Sequence, residues 1–404
     1  MPTLKWVGKQ IKRAKKLELT IGSSTVGHTF ITTIGGTKAV TYVAVAGDTT
    51  VTITSAILDL LQDETSGEFS ELTFAEGSTT SKIYVTGPDD GAPITVTLSG
   101  TGTYTQATLT ANTSPFDVAD TANYDTVALP GVGDTLVVED SDIPLLYNLA
   151  SLVNAFTFIR KRTHTGQIGL PTTSVGGYPE YRATHLELAG TSVTIETGAD
   201  LVGSIRIKST GAASTYTIQG TGAATIDAEP VEVYNTAATS VVRCIASGVA
   251  FAPLSGQAGS ITTLTGEQSS IRVGSGATLV NATFKNCSWR VGTSLTTLTQ
   301  LEGGNGEVEG SAACGNSGLK LFSGYCTWTS TGATGNSPLI GAGAVLDFTN
   351  APAAVTVGGT VSLGAGGSFL DPRNVCGAYV VNLLNCRLQE VGFAPGTNRV
   401  LTVS

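Results

Sequence analysis

The segment Ile261-Thr262-Thr263-Leu264-Thr265 is repeated farther along the chain as Leu295-Thr296-Thr297-Leu298-Thr299, with Gly-flanked runs of β-forming residues between the two copies. Thr and branched apolar residues favour extended backbone, whereas Gly, Asn and Ser supply turns. Equivalent positions of successive coils stack in a β-solenoid, so segments of this kind recur along its sequence. A β-sandwich also contains many short strands, but it does not require such repeats. We therefore predict a β-solenoid in this part of the chain.

A second set of repeats indicates the same architecture. Asn286-Cys287-Ser288-Trp289 is followed by the similar segments Cys326-Thr327-Trp328 and Asn385-Cys386-Arg387-Leu388. Our interpretation is that an inward Cys or Leu and a turn Asn recur once per coil or once per two coils. The repeats are loose and define no fixed period.

The composition of the whole chain is typical of strands and turns. Its 404 residues include 50 Gly and 14 Pro, and only 13% are charged, whereas about a quarter are charged in average globular domains. Because 41% of the residues are hydrophobic and are spread along the chain, a packed core is expected instead of disorder. A membrane-spanning helix is not expected, since no window approaches the roughly 18 to 20 apolar residues that a span needs.

Changes in the sequence pattern divide the chain into four parts. We predict a basic N-terminal arm over 1–16 and a small α+β, sandwich-like anchoring module over 17–110. A linker is predicted over 111–132, and the β-helix body over 133–404. Within the module we predict one helix, which begins at its cap Ser55 and carries Ile57, Leu60 and Leu61 on its apolar side. The sequence thus predicts a mainly β protein with a small α+β module ahead of the solenoid.

The first 16 residues contain six basic residues and no acidic one: Lys5, Lys9, Lys12, Arg13, Lys15 and Lys16. Either an amphipathic helix, with Leu4, Val7, Ile11 and Ala14 on one side, or a leading strand at Trp6-Val7 followed by a basic loop fits this segment. The rest of the chain has a net charge of −15, which argues against general nucleic-acid binding. The basic segment could instead dock on an acidic partner.

The six cysteines are expected to be reduced, buried and structural. They lie in the second half of the chain at Cys244, Cys287, Cys314, Cys326, Cys376 and Cys386, and none forms a CxxC motif. Leu17-Glu18-Leu19-Thr20 follows the basic N-terminus where a signal peptide would have its apolar segment, so we expect synthesis in the cytoplasm without a signal peptide.

We predict no catalytic, cofactor-binding or metal-binding residues. The three histidines, His28, His164 and His185, lie far apart in the sequence. Carboxylates are the more serious enzymatic alternative, because glycan-cleaving enzymes use pairs of them. The two clusters that could form such a pair are Glu302, Glu307 and Glu309, and Glu139, Asp140 and Asp142. The first cluster surrounds Gly303-Gly304-Asn305-Gly306, which is more typical of a solvated hairpin tip than of a catalytic pair.

The basic run Arg160-Lys161-Arg162 and the aromatic residues Tyr178 and Tyr181 are candidates for contacts with another subunit or partner. Exposed aromatic residues could also form a sugar-binding stripe, whereas interior packing is the alternative.

The segments Gly166-Gln167-Ile168-Gly169-Leu170-Pro171 and Gly176-Gly177-Tyr178-Pro179-Glu180-Tyr181-Arg182 resemble a pattern found in a family of phage and prophage structural proteins. Gly133-Asp134-Thr135 and the residues up to Leu149 resemble the stretch that precedes this pattern in the family, and Trp6 and Gly8 resemble its opening. The resemblance implies a virion component of the head gene module with a right-handed parallel β-helix. It implies no catalytic residue.

Together these observations predict a homotrimeric capsid decoration or spike protein. Trimer formation would bury one sheet face of each solenoid. The module and the basic tip would bind the major capsid protein or another virion protein through the predicted docking residues Lys5, Trp6, Lys9, Lys12, Arg13, Lys15 and Lys16. We expect neither nucleic acid nor a membrane as a partner. The alternative is a tail fibre or tailspike that recognises, or cleaves, host surface glycans.

Overall fold

The computed structural model describes residues 2–384 and 399–403, except for 37, 175, 191, 212, 222–223, 236–238, 353–354, 372–374 and 377–378. The protein is mainly β, with 45% of residues in strands and 6% in helix. A small α+β part lies near the N-terminus, and a β-solenoid of about 11 coils extends from about residue 135. The predicted fold class is therefore confirmed.

The first elements in chain order are β1 (Thr3–Lys5), β2 (Lys16–Ile21), β3 (Thr29–Ile34), β4 (Lys38–Val43), α1 (Thr50–Asp63), a 3₁₀ turn (Gly67–Glu71), β5 (Thr73–Glu76), β6 (Lys82–Thr86), β7 (Val96–Gly100), β8 (Tyr104–Thr110) and a second 3₁₀ turn (Thr121–Asn123). The solenoid strands that follow are β9 (Thr135–Val138), β10 (Thr157–Arg160), β11 (Leu186–Leu188), β12 (Ser192–Glu196), β13 (Ile205–Ser209), β14 (Ala213–Gln219), β15 (Val231–Asn235), β16 (Thr239–Ile245), β17 (Gly248–Phe251), β18 (Gly259–Glu267), β19 (Ser270–Val273), β20 (Ala277–Lys285), β21 (Ser288–Val291), β22 (Leu295–Glu302), β23 (Asn305–Val308), β24 (Leu319–Leu321), β25 (Gly324–Trp328), β26 (Leu339–Ile340), β27 (Ala344–Asp347), β28 (Thr360–Leu363), β29 (Ser368–Leu370), β30 (Tyr379–Leu383) and β31 (Arg399–Val403).

Successive solenoid strands alternate between two parallel sheets. From β10 to β30 the even-numbered strands belong to a sheet of 14 strands, which we call the long sheet, and the odd-numbered strands from β11 to β29 form a sheet of 10 strands, the short sheet. Each coil thus contributes one strand to each sheet. Side chains alternate between the interior and the outer surface along every strand.

The repeat around Ile261 has the register that the sequence predicts. Ile261 pairs with Leu279 on the next coil, and Leu279 pairs with Leu295 on the coil after that. All three side chains are buried. Coil length varies along the chain, because 35 residues separate the partners Ile159 and Thr194 but only 16 separate Thr283 and Thr299. This variation explains why the sequence shows repeats without a fixed period.

The second set of repeats does not mark equivalent positions of successive coils, so this prediction is wrong. Trp289 pairs with Gly306, which pairs with Cys326, whereas Trp328 pairs with Val308. The two tryptophans point inward but belong to neighbouring columns, since the connecting segments differ in length. The third segment, over 385–388, lies outside the described residues.

Trp289 occupies the interior because its neighbour on the next coil is a glycine. A Cβ atom at Gly306 would overlap the Trp289 ring. The ring stacks on Phe284 of the long sheet, with 5.0 Å between centroids and 16° between planes. Its Nε1 donates a hydrogen bond to Gln300 Oε1 at 3.3 Å, which provides a partner for a buried amide. The large ring of Trp289 and the absent side chain of Gly306 therefore complement each other in this inward column.

The cysteines are buried as predicted, with Cys386 outside the described residues. Cys244, Cys287, Cys314 and Cys326 are free thiols, and Cys376 is also buried. Burial raises the pKa of Cys244 to about 12 and that of Cys314 to about 11. These thiols are therefore poor nucleophiles and act as small apolar groups.

The module contains a four-stranded sheet in the order β5-β6-β2-β8 and a three-stranded sheet in the order β4-β3-β7, both antiparallel. Helix α1 buries Ile53, Ile57 and Leu61 in the core that both sheets share. The predicted start of this helix at Ser55 is wrong. Its cap is Thr49, six residues earlier, because Thr49 and Thr52 form a capping box.

The N-terminal residues form the first strand of the solenoid. Strand β1 pairs in parallel with β9, and Leu4 and Trp6 are buried while Lys5 between them is exposed. This alternation has the period of a strand, so the strand alternative is correct and the amphipathic helix is wrong. The segment is therefore not a free arm, and the module is an insertion between β1 and β9.

The residues that we predicted as a linker are packed into the same end of the solenoid. Val118 and Tyr124 are buried in the solenoid core. Asn123 is fully buried and donates hydrogen bonds to the carbonyl oxygens of Ser114 at 2.8 Å and Asp117 at 2.9 Å. This segment and β1 therefore cover the first coil, which protects its interior from water.

We expect Gly306→Ala to destabilise the solenoid by about 1 to 3 kcal/mol, the usual cost of overpacking a core, because the added methyl group collides with Trp289. Urea unfolding followed by circular dichroism measures the change. Gly292→Ala is the matched control, since the nearest atoms to its added Cβ lie at 3.5 Å. Equal stability of the two variants would contradict this account of the column.

Candidate functional site

The most elaborate polar cluster joins the module to the solenoid, and Arg182 is at its centre. Its Nε donates to Glu180 Oε1 at 2.8 Å, and its Nη2 donates to Glu71 Oε1 at 2.8 Å. Nη1 donates to the second oxygen of Glu71 at 3.2 Å. Glu71 belongs to the module, and the other two residues belong to the loop before β11. A bidentate ion pair thus connects the two parts of the chain.

A second contact of the same joint links Asp90 of the module to Tyr147 of the first coils. Tyr147 Oη donates to Asp90 Oδ2 at 2.5 Å. Burial, followed by the hydrogen bond to Asp90, raises the pKa of Tyr147. Burial also raises the pKa of Glu71, although Arg182 opposes this change. Tyr147 packs with Ala92 and Leu170 in a small apolar cluster, so the joint has its own core.

The aromatic residues of the segment 176–182 complete the joint. Tyr178 and Tyr181 stack with 6.3 Å between ring centroids. The Tyr181 ring lies against Gly35 of the module, where a Cβ atom would come within 2.8 Å of it. Tyr178 is buried, so our prediction that it contacts another subunit is wrong, because the chain's own module covers this face. Tyr181 is half-buried in the same joint.

A cavity of about 400 Å³ opens beside these residues. Its walls combine aromatic rings, carboxylates and one guanidinium group: Tyr147, Tyr178, Glu71, Asp90, Glu180 and Arg182. Ser174 also lines it, and its buried hydroxyl has no hydrogen-bond partner among the described residues. Rings beside hydrogen-bonding groups can bind a sugar unit by stacking and polar contacts. The joint could therefore also hold a small polar ligand.

Trp6 is not available for docking on a partner. Its side chain is buried, and its ring meets Tyr124 edge-on at 5.5 Å. The indole nitrogen donates to the Ile143 carbonyl at 3.2 Å. Our prediction that Trp6 binds the particle is therefore wrong, since Trp6 follows β1 directly and its ring packs in the first coil.

The basic residues of the same segment are partly engaged within the chain. Lys5 forms an ion pair with Glu139 at 2.5 Å, and Lys15 donates to the Ile94 carbonyl at 3.1 Å. Burial lowers the pKa of Lys15. Lys16 and Lys12 lie over the rings of Tyr84 and Phe116, at 3.7 Å and 4.9 Å from their centroids. Lys9 and Arg13 are exposed, and no side-chain ion pair holds them in the described part of the chain.

The basic run that follows β10 is divided between the interior and the surface. Arg160 is fully buried and donates hydrogen bonds to the backbone carbonyls of Glu196 and His164. Its position in the register is that of Ile195, an inward site, so our prediction of a subunit contact is wrong for this residue. Lys161 forms an ion pair with Glu196 at 2.9 Å, and Arg162 is exposed beside them.

His164 is buried next to Arg160 and is disfavoured as a cation. Burial, assisted by the nearby Arg160 charge, lowers the pKa of His164 to about 4. The residue is therefore neutral at physiological pH.

The two carboxylate clusters have different surroundings. Glu307 and Glu309 lie 3.1 Å and 3.7 Å from Arg290, which also contacts Asp227 at 2.9 Å. Glu302 approaches Lys285 at 3.6 Å, away from the other two. Each of these carboxylates therefore has a cationic neighbour, as in a structural ion-pair network.

In the second cluster, Glu139 is held by Lys5, whereas the backbone N–H of Asp140 donates to Thr163 Oγ1 at 3.1 Å. Asp140 and Asp142 do not line the cavity described above.

Sequence reasoning missed the residues that form the joint. Glu71, Asp90 and Tyr147 lie far apart in the sequence, and nothing in it brings them together. The one available signal was the segment 176–182, whose Glu180 and Arg182 belong to the pattern that resembles phage structural proteins.

No protein-family model matches this chain, and a search of curated proteins finds no match. Within the described ranges, no group of three or more His, Cys, Asp or Glu side chains is arranged to hold a metal ion. The described helices include none that is long and apolar enough to cross a membrane.

We expect Arg182→Met to destabilise the joint by about 3 kcal/mol, because it leaves Glu71 and Glu180 as buried charges without their partner. Urea unfolding and limited proteolysis of the connection over 7–16 measure the loss. Arg162→Met is the control, since its exposed ion pair should contribute less than about 1 kcal/mol. Similar losses in both variants would contradict a special role for Arg182.

Acidification should destabilise the solenoid through His164. Because its pKa is lower in the folded than in the unfolded chain, stability is complete above about 6.5 and declines as the pH falls toward about 4. A shift of this size corresponds to roughly 3 kcal/mol. Urea unfolding at several pH values should show this decline in the wild type and a weaker one in His164→Phe, which binds no proton. A His28→Gln control should keep the wild-type decline, and an unchanged profile in His164→Phe would contradict the assignment.

Proposed function

We propose that this protein is a structural component of a phage virion, a trimeric β-helical decoration or spike protein that its N-terminal part anchors to the capsid. The observation that carries the proposal is the joint around Arg182, which fixes a small module to a long solenoid. A rigid connection of this kind transmits position and orientation from an anchor to a projecting body. The resemblance of the segments 166–171 and 176–182 to phage structural proteins supports the same conclusion.

The dimensions of the solenoid suit a projecting element. About 11 coils stacked at about 4.8 Å extend over roughly 50 Å. Most of the inward side chains are apolar, so the body needs no ligand or metal to fold.

The module is proposed as the part that binds the major capsid protein or another virion protein. Its connection to β1 carries Lys9 and Arg13, which are exposed and have no side-chain ion pair within the described residues. Both would be attracted by an acidic surface. The other basic residues of the segment contribute less, since intramolecular contacts already engage Lys5, Lys12, Lys15 and Lys16.

Assembly is favoured over glycan cleavage because of how the carboxylates are held. Glu307 and Glu309 share Arg290 and form part of an ion-pair network on the outer surface. Burial raises the pKa of Glu309 and Arg290 opposes this change, whereas a general acid needs a carboxyl group that stays protonated near neutral pH and faces the substrate.

Epitope insertions in two exposed turns test the proposal. One insertion is placed at Gly47 in the module and the other at Gly343 in the solenoid, and a Cβ atom at either glycine would meet nothing within 4 Å. In electron micrographs of labelled virions, we expect antibody on the head surface for the Gly343 insertion and weak or absent labelling for the Gly47 insertion. Each purified variant must first show the wild-type circular dichroism spectrum, which confirms folding.

Two outcomes would overturn the capsid assignment. Absence of the protein from purified virions would remove it from the particle altogether. Labelling confined to the tail would favour the second candidate, a tail fibre or tailspike that binds host glycans. The cavity beside Tyr147 and Tyr178 is the observation that favours that candidate, and adsorption of the purified protein to host cells is its direct consequence.

A further inference from the structure

The outer surface of the long sheet carries mainly small polar and apolar side chains, with a column along its border that contains Glu196, Glu267, Lys285 and Glu302. We call it the threonine face and define it by the outward residues of β10 to β28. Two adjacent columns form its centre: Thr157, Ser192, Thr215, Val241, Thr263, Asn281 and Thr297 in one, and Ile159, Thr194, Thr217, Arg243, Thr265, Thr283, Thr299, Lys320, Leu339 and Ser362 in the other. Only two of these side chains are charged.

Apolar side chains are also exposed on this face. Val241 is 43% exposed, Val280 is 39% exposed and Leu301 is 43% exposed, all pointing outward from strands of the long sheet. Phe322, directly after β24, is 42% exposed. A threonine methyl group and hydroxyl group together cost little to remove from water when the hydroxyl finds a partner. Removing the threonine face from water therefore costs little free energy.

The outer surface of the short sheet has the opposite character. Arg206 and Glu232 form an ion pair at 3.1 Å, and Arg272 and Arg290 both contact Asp227, at 3.0 Å and 2.9 Å. Burial acts to raise the pKa of Glu232. Hydrogen bonds from His185 and Gln257, together with the Arg206 charge, outweigh it and lower this pKa to about 2. Covering this surface would desolvate a row of charges. These charges already pair within one chain, so the short sheet is suited to face water.

We propose that the threonine face is the contact through which copies of this chain associate side by side, with their solenoid axes parallel. This inference rests on the trimer of the proposed function and names the surface that forms it. It does not depend on where the trimer is attached.

The size of the face agrees with such a contact. Ten strands at about 4.8 Å give a length of roughly 48 Å, and five residues at about 3.3 Å give a width of roughly 16 Å. The resulting area is about 800 Å² per chain, which matches the share of one partner in a stable protein interface. Because each copy in a trimer has two neighbours, the face provides about 400 Å² to each contact, and the three copies together bury roughly 2,400 Å².

A charge in the central column and one in the border column are complementary in a parallel arrangement. Arg243 is exposed, and no ion pair involves it within the described residues. Glu267 lies one strand farther along the axis, opposite Ile245, and its side chain is 44% exposed with Lys285 only at 3.8 Å. When two copies are parallel and level, Arg243 of one lies close in height to Glu267 of the next. An antiparallel pair would not bring these residues together.

The experiment measures the oligomeric state of the purified full-length protein by sedimentation velocity. Wild type should sediment as a trimer at micromolar concentration. Thr265→Lys places a new charge at the centre of the threonine face in every copy, and we expect it to weaken association at least 100-fold. Thr327→Lys is the matched control, because Thr327 is half-buried and points outward from the short sheet. It should leave the trimer intact.

A charge exchange tests the arrangement without altering the core. Arg243→Glu should weaken association, and the double variant Arg243→Glu with Glu267→Arg should restore it. Both positions are on the surface, so folding is retained and circular dichroism checks it. A monomeric wild type, a trimer that dissociates with Thr327→Lys but not with Thr265→Lys, or failure of the double variant to recover would each overturn the proposal. Because no virion is involved, these outcomes are independent of the labelling experiment.

Discussion

Each coil of the solenoid is hydrogen-bonded to the next in parallel register, so an inward side chain lies directly against the inward side chains of the coils on either side. The volume available to an inward side chain therefore depends on the residues at the same position of the two neighbouring coils. Trp289 fits because Gly306 is its neighbour, and Phe284 covers its ring from the other sheet. Gln300 can lie inward because Trp289 supplies a hydrogen bond. The outer surfaces follow from the same register, since a strand that points one residue inward must point the next one outward.

The module owes its fixed position to the same stacking. The chain leaves the solenoid after β1 and returns before β9, and these two strands pair with each other. The module is therefore held by two connections instead of one flexible linker. Arg182 adds a third attachment, because its guanidinium group bonds to carboxylates on both sides of the joint. An insertion held at three points loses most of its rotational freedom when the solenoid folds. This geometry explains why so many polar side chains converge at the joint.

The solenoid could be predicted from sequence because its signals are local: short β-forming runs, turns, and a repeat whose copies share a column. The predictions that are wrong concern residues whose contact partners lie far away in the sequence. Leu4, Lys5 and Trp6 alternate like a strand, but their partner β9 lies more than a hundred residues away, and a short basic segment fits a helix equally well. Arg160 belongs to a residue type that is almost always exposed, and only the register with Ile195 places it inside. The joint around Arg182 could not be predicted, because Glu71 lies 111 residues away in the sequence.

The two outer faces of the solenoid differ in what it costs to remove them from water. The Arg272–Asp227 pair is partly exposed and contributes little to folding, whereas the Arg206–Glu232 pair is more buried. We infer that both pairs discourage association through the short sheet. A charge must lose its hydration water before another protein can cover it, which costs free energy. A charge that is already paired within its own chain gains little new attraction in return. Thr265 and Thr283 carry no such penalty. We infer that a solenoid with ion pairs along the centre of one sheet and hydroxyl groups along the centre of the other directs contacts to the hydroxyl face, because the parallel register keeps each column on one side.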